Sequence, residues 1–185
     1  MTELRPAPAP HLRLAPTARL DLPPLRPEHA EAMAQALADP ALHAFTGGEP
    51  LDADRLRARY ERLAAGPPDP TERWWNWALW LRAEDRPVGF VQATVDGGGR
   101  TAEIAWVVGV PWQGRGLAVE AARALAAGLA GAGVARLVAH VHPDHRASAA
   151  VAAAVGLRPT GLLQDGEVRW EGPAGRSPDA PVSPR

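Results

Sequence analysis

The chain is 185 residues long, 46% of them apolar, with a formal net charge of −1 and a pI near 6.6; this suits one domain with tails and a sizeable core. Its 20 basic residues are all arginine and lie scattered, which excludes the concentrated basic footprint of a nucleic-acid-coating surface. Without cysteine there is no disulfide framework, no thiolate metal site and no acyl-cysteine intermediate.

Residues 1–11 are rich in Pro and Ala and 172–185 in Pro, Gly and Ser; neither has hydrophobic periodicity, so both are expected to be flexible tails around a domain spanning 12–171. The N-terminus lacks the apolar core of a signal peptide. Nowhere do about 18 apolar residues run without charge or proline, so no membrane span is expected and a cytoplasmic location is. Residues 12–25 alternate like an edge strand broken by Pro23 and Pro24. Pro27 opens a helix that Pro40 ends, and 51–63 form a second, arginine-rich helix with Asp52 as N-cap. Residues 66–70 are a loop. The aromatic run 75–81 and the run 88–95 read as a hairpin, and 101–108 as a third strand. A glycine turn leads into a helix over 117–130. A strand over 136–142, a short helix over 147–155 and a hairpin over 159–170 complete the pattern. The expected architecture is one mixed α/β domain.

A strand, a tight glycine turn and a long helix make a phosphate-gripping geometry, because the first helical turn carries unpaired N–H groups and the positive end of the dipole. Gly114 and Gly116 let a diphosphate approach the backbone, Ala118 keeps the next position small, and Arg115 or Gln113 offers a side-chain donor. A plain strand-to-helix bend would use glycine in the same way, so the turn alone leaves the choice open. The dinucleotide fingerprint is incomplete: Val119 stands where glycine or alanine is required, and the next strand ends in His140-Val141-His142 with no acidic ribose partner. A Walker loop is excluded by the missing Gly-Lys-Ser/Thr.

Gln113-x-x-Gly116-x-Ala118 resembles the acetyl-CoA motif of GNAT acetyltransferases. Residues 102–108 resemble that family's fourth strand, and His142 to Ser148 followed by Val155-Gly156-Leu157 resembles its second signature. Thr17-Ala18-Arg19-Leu20 with Leu25-Arg26-Pro27 is similar to the opening of the RimJ/RimL-like branch. The likeness covers about residues 12–171. It implies a GNAT-like, mostly antiparallel sheet of six or seven strands flanked by about four helices. It also implies direct transfer of acetyl from acetyl-CoA to a primary amine, on a protein N-terminus or a small molecule. A non-catalytic acyl-CoA-binding or partner-binding module on the same fold is the alternative, and a homodimer is compatible with either.

Carried onto this chain, the resemblance puts the cofactor's arm along the backbone of Trp106, Val107, Val108 and Val110, with an N–H near Val108 polarising the thioester. Its diphosphate would lie on Gln113, Gly114, Arg115, Gly116, Leu117 and Ala118. Glu103 is the expected base, unless it is a solvated carboxylate opposite Arg100 or Arg123. Ser148 matches the serine that protonates the leaving thiolate, unless it caps the short helix. The only tyrosine, Tyr60, lies far upstream, which disfavours a tyrosine acid. His145 replaces the usual asparagine and is assigned to the cofactor, with a role as base also open. No metal is expected, since His140, His142 and His145 lack a helical pair or cysteine partners. Of Trp74, Trp75, Trp77 and Trp80, most are expected in the core, with one free to line the acceptor cleft. The segment Thr46 to Leu51, with Glu49 and Asp52, would attract a cationic acceptor weakly.

Overall fold

The computed structural model describes residues 11–45 and 47–175. The outer parts of both expected tails, and Thr46, lie outside the described residues. Seven strands form one sheet: β1 (Leu20–Asp21), β2 (Arg73–Leu81), β3 (Arg86–Val95), β4 (Thr101–Val108), β5 (Arg136–Val141), β6 (Arg158–Gln164) and β7 (Glu167–Pro173). Their spatial order is β1-β2-β3-β4-β5-β7-β6. Only β4 and β5 run parallel, and they are joined by the long helix α3 (Leu117–Gly131), as a crossover between parallel neighbours requires. Helices α1 (Ala30–Ala36) and α2 (Ala53–Ala65) precede β2, and α4 (Arg146–Ala154) follows β5. The six- or seven-stranded, mostly antiparallel sheet with four helices is therefore present.

Local chemistry explains most boundaries. Asp52 accepts from the Arg55 N–H at 2.8 Å and caps α2. Asp96 accepts from Arg100 and Thr101 and closes the β3–β4 turn. The expected first strand is much shorter than 12–25. Leu20 and Asp21 pair with Leu81 and Trp80, and Pro24 makes a single bridge to Trp77. Pro23 and Pro24 have no N–H to give a ladder, and β2 shifts register between Leu79 and Trp80. Residues 12 and 14 pack instead against the main core, and the Leu12 carbonyl accepts from the Trp77 indole at 3.0 Å. At the other end β7 runs through Pro173, which pairs with Arg136.

Two cores flank the sheet. Trp75, Trp77, Val91, Ala93, Ala102 and Ile104 share one with Leu117, Ala121 and Leu125 of α3. Ala30, Met33, Leu56, Tyr60 and Ala78 form the other, with Phe90 against them. Trp75 and Trp77 meet edge to face at 6.5 Å and are core residues, as expected. Tyr60 is buried among the α1 and α2 side chains, and burial raises its hydroxyl pKa to about 12.

Candidate active site

Strand β4 carries the site on both its faces and along one edge. Against β3 it pairs from Ala102 to Val108. Against β5 it pairs only at Thr101, Ala102 and Glu103, opposite Arg136, Leu137 and Val138. Beyond that point the two strands part, while β5 stays paired with β7. Alternation decides what faces the opening. The Thr101 carbonyl accepts from Asp96 and the Gly109 N–H donates to Val88, so odd positions of β4 turn towards β3. Trp106 and Val108 therefore direct their N–H groups into the gap, whereas Val107 directs its own to β3. The Val108 carbonyl is closed off by the Gln113 side-chain amide, which donates to it at 3.0 Å. That bond ties the glycine loop to the strand and engages one of the two side-chain donors offered to a ligand.

After a short 3-10 turn (Val110–Trp112), residues 113–116 form an exposed loop. Gly114 and Gly116 have φ of +70° and +77°, a region that a side chain disfavours. Nothing lies within 4 Å of where a Cβ on Gly114 would stand. Leu117 turns its side chain into the core and Ala118 packs beside it, leaving their N–H groups at the unpaired start of α3. An open, Cβ-free surface with helix-terminal donors fits a diphosphate. Arg115 lies 3.4 Å from Glu84, and Glu84 also accepts from the Trp112 indole at 2.9 Å.

The two expected catalytic side chains sit on opposite faces of the sheet at this opening. Glu103 aligns with Thr94 and Trp74 across β3 and β2, on the face that Ala78 and Phe90 present to α1 and α2. Its carboxylate lies 3.4 Å from Nδ1 of His140 rather than against Arg100 or Arg123. Nε2 of His140 is buried without a hydrogen-bond partner among the described residues. Ser148 approaches from the α4 side. Its hydroxyl accepts from the Trp106 indole at 3.0 Å, and the N-cap of α4 is His145, whose Nδ1 accepts from the Ser148 N–H at 3.4 Å. Ser148 is thus bound to the strand instead of capping its helix.

His145 stacks on Phe45 with ring centres 4.4 Å apart, and His142 leans on the same ring at 5.2 Å. Burial, and next the neighbouring His142, hold the His145 imidazole below its ordinary pKa, so near neutral pH it is an acceptor at Nδ1. Among the described residues no group of three or more His, Asp or Glu side chains is arranged to hold a metal ion. Beside Trp74 a cavity of about 350 Å³ opens between Leu25, Leu63, Pro67 and Asn76. No helix among the described residues is long and apolar enough to cross a membrane.

The sequence gives no role to Phe45, Glu84 and Arg19, and it brings His140 forward as a rejected metal ligand without its pairing to Glu103. His140, Phe45 and Glu84 pair across distant parts of the chain, a signal that no local motif carries. Arg19 belongs to the Thr17-Ala18-Arg19-Leu20 opening, which by itself implies no role for its side chain.

Known proteins share this fold. A family model described as the acetyltransferase (GNAT) domain matches residues 19–158. No curated protein sequence matches the chain. Among solved structures, a GNAT-family acetyltransferase from Bacillus anthracis superposes with a TM-score of 0.73 at 20% identity, covering 88% of this chain and 99% of its own. An acetyltransferase from Thermus thermophilus is 26% identical, with a TM-score of 0.67 and coverage of 86% and 99%. Mycobacterium smegmatis RimJ, solved with a CoA-disulfide, has the same fold at 22% identity, a TM-score of 0.72 and coverage of 88% and 90%. With the family match spanning the glycine loop, the parted strands and the α4 signature, the chain belongs to the GNAT acetyltransferases and is an acetyl-CoA-dependent N-acetyltransferase.

Proposed function

We propose that this protein transfers acetyl directly from acetyl-CoA to a primary amine in a ternary complex, the amine belonging to a protein N-terminus or a small molecule. The observation that carries this reading is the opening between β4 and β5, with Glu103 at its vertex on one face and Ser148 on the other. Acceptor and leaving group then have separate sides. N–H groups from Gly114 to Ala118 and the Arg115 side chain hold the diphosphate. Trp106, Val108 and Val110 offer backbone to the arm, and His145 borders its path. The amine nitrogen bonds to the thioester carbon as the carbon–sulfur bond breaks. Glu103 takes the amine's proton, directly or through water, and Ser148 relays one to the thiolate, regaining its own from solvent.

The acceptor's approach lies on the Glu103 face. There the register aligns Glu103 with Thr94 and Trp74, and Ala105 with Gln92 and Asn76. This half-covered polar floor runs from the vertex towards the cavity beside Trp74. It is the route we assign to the amine-bearing substrate.

Glu103→Gln keeps the shape and removes the base. It should lower kcat by about 10²-fold or more, with the Kd for CoA unchanged by calorimetry. Wild-type turnover in that variant would sink the assignment of Glu103.

A further inference from the structure

The exposed loop at 113–116 has two left-handed glycines in four residues. Glycine leaves such a backbone free to rotate, and nothing stands within 4 Å of where a Cβ on Gly114 would lie. A loop of this composition grips an anion only if its peptide planes are oriented before the ligand arrives. The constraint must come from outside the loop.

Gln113 ties the start of the loop to Val108; the peptide that precedes Gly116 is held from the N-terminal segment, about a hundred residues earlier in the chain. The Arg19 guanidinium donates through one Nη to the Arg115 carbonyl at 2.8 Å. Its Nε donates to Oε2 of Glu120, in the first turn of α3, at 2.7 Å, and the other Nη forms an ion pair with the same oxygen, also at 2.7 Å. The backbone N–H of Arg19 and the Thr17 hydroxyl donate to the other Glu120 oxygen, at 2.8 and 2.5 Å. Burial is the largest single influence on Glu120 and opposes its ionisation. The hydrogen bonds from Thr17 and Arg19, with the guanidinium charge, together outweigh it and hold the carboxyl below its ordinary pKa. Glu120 therefore stays charged, and Arg19 is locked in a fork that spans the helix and the loop.

The consequence follows from peptide geometry. The Arg115 carbonyl and the Gly116 N–H belong to one planar, trans unit, so they point in opposite directions. A carbonyl fixed on Arg19 turns the Gly116 N–H away from Arg19. We infer that Arg19, anchored by Glu120, is a positioning residue of the diphosphate site: it fixes the Arg115–Gly116 peptide so that its N–H is presented to the CoA diphosphate. The fork also offsets the negative charge of Glu120, which would otherwise sit one helical turn from that diphosphate. This inference rests on reading the glycine loop as the diphosphate site.

Arginine's planar fork is what permits two simultaneous attachments, and a lysine ammonium cannot reproduce it. Calorimetric titration of the full chain with CoA tests the idea without knowledge of the acceptor. Arg19→Ala should raise the Kd on the order of tenfold or more, the loss expected for one oriented donor to a charged group. With acetyl-CoA saturating, kcat for any amine that the wild type accepts should not move. Arg19→Lys should stay nearly as weak as Arg19→Ala; full recovery would make Arg19 a simple point charge and overturn the inference. Arg82→Ala is the control. Arg82 grips the same segment, donating to the Thr17 and Ala18 carbonyls at 2.7 and 2.6 Å, but touches no loop residue. Equal weakening in Arg82→Ala would show mere loosening of the segment and also overturn it. Wild-type affinity in Arg19→Ala would remove the inference alone, whereas a wild type that ignores CoA would remove the diphosphate reading beneath it.

Discussion

At the scale of single residues, His145 carries a measurable consequence. It stands where the resembling signature has asparagine, and it caps α4 through Nδ1. A ring nitrogen accepts that bond only when it is unprotonated. Burial depresses the His145 pKa, with His142 adding to it, and burial likewise lowers His11 and His29. The unfolded chain therefore binds protons at these sites more readily than the folded one. Their contribution to stability is complete above the unfolded value of 6.5 and is lost as pH falls through the lower folded values. Melting temperature should decline on acidification below about pH 6.5. Asparagine caps helices at any pH in this range, so His145→Asn should preserve stability at pH 7.5 and make the decline shallower. Identical slopes in the two proteins would contradict the cap assignment. Glu103 and Ser148 were legible as residue types in a recognisable order. Their true neighbours were not, because His140 and Trp106 meet them only across strands and helices that the chain brings together late.

At the scale of elements, β4 was legible to the residue, since alternation and the flanking turn chemistry agree. The first strand was overextended, because apolar alternation over 12–20 reflects packing against the core rather than a ladder. The closeness of β3 and β4 has its own signature. A Cβ on Gly89 would stand 2.1 Å from the Val107 carbonyl oxygen, a backbone atom that cannot rotate away. Gly89→Ala should destabilise the fold by about 1–3 kcal/mol, the usual cost of overpacking. For a chain of this length that corresponds to a fall of roughly 2–12 °C in Tm. An unchanged melting temperature would mean that the two strands sit farther apart than described.

At the scale of the whole molecule, ligand linkage discriminates between donor chemistries. The loop is open, but the next strand ends in His140-Val141-His142 rather than in an acidic residue that would hold a ribose, and the phosphate-binding lysine of a Walker loop is missing. CoA at about a hundred times its Kd should stabilise the protein by about 2.7 kcal/mol. NAD and ATP at the same concentration should leave the melting temperature where it was. A shift with NAD and none with CoA would reverse the reading of the loop.

The sequence by itself determined the order of the elements and the loop chemistry, because turn residues, glycine spacing and apolar periodicity act over a few neighbouring positions. The family likeness was legible for the same reason: the motif Gln113-x-x-Gly116-x-Ala118 is one contiguous segment. Only the tertiary structure decided how that segment is held, since Arg19 and Glu120 are 101 positions apart and meet where the residue before β1 reaches the first turn of α3. It also decided that Glu103 faces His140 and that Ser148 leans on Trp106. Both contacts depend on where β5 leaves β4, and a strand's partner is set by the packing of the whole sheet rather than by its own residues.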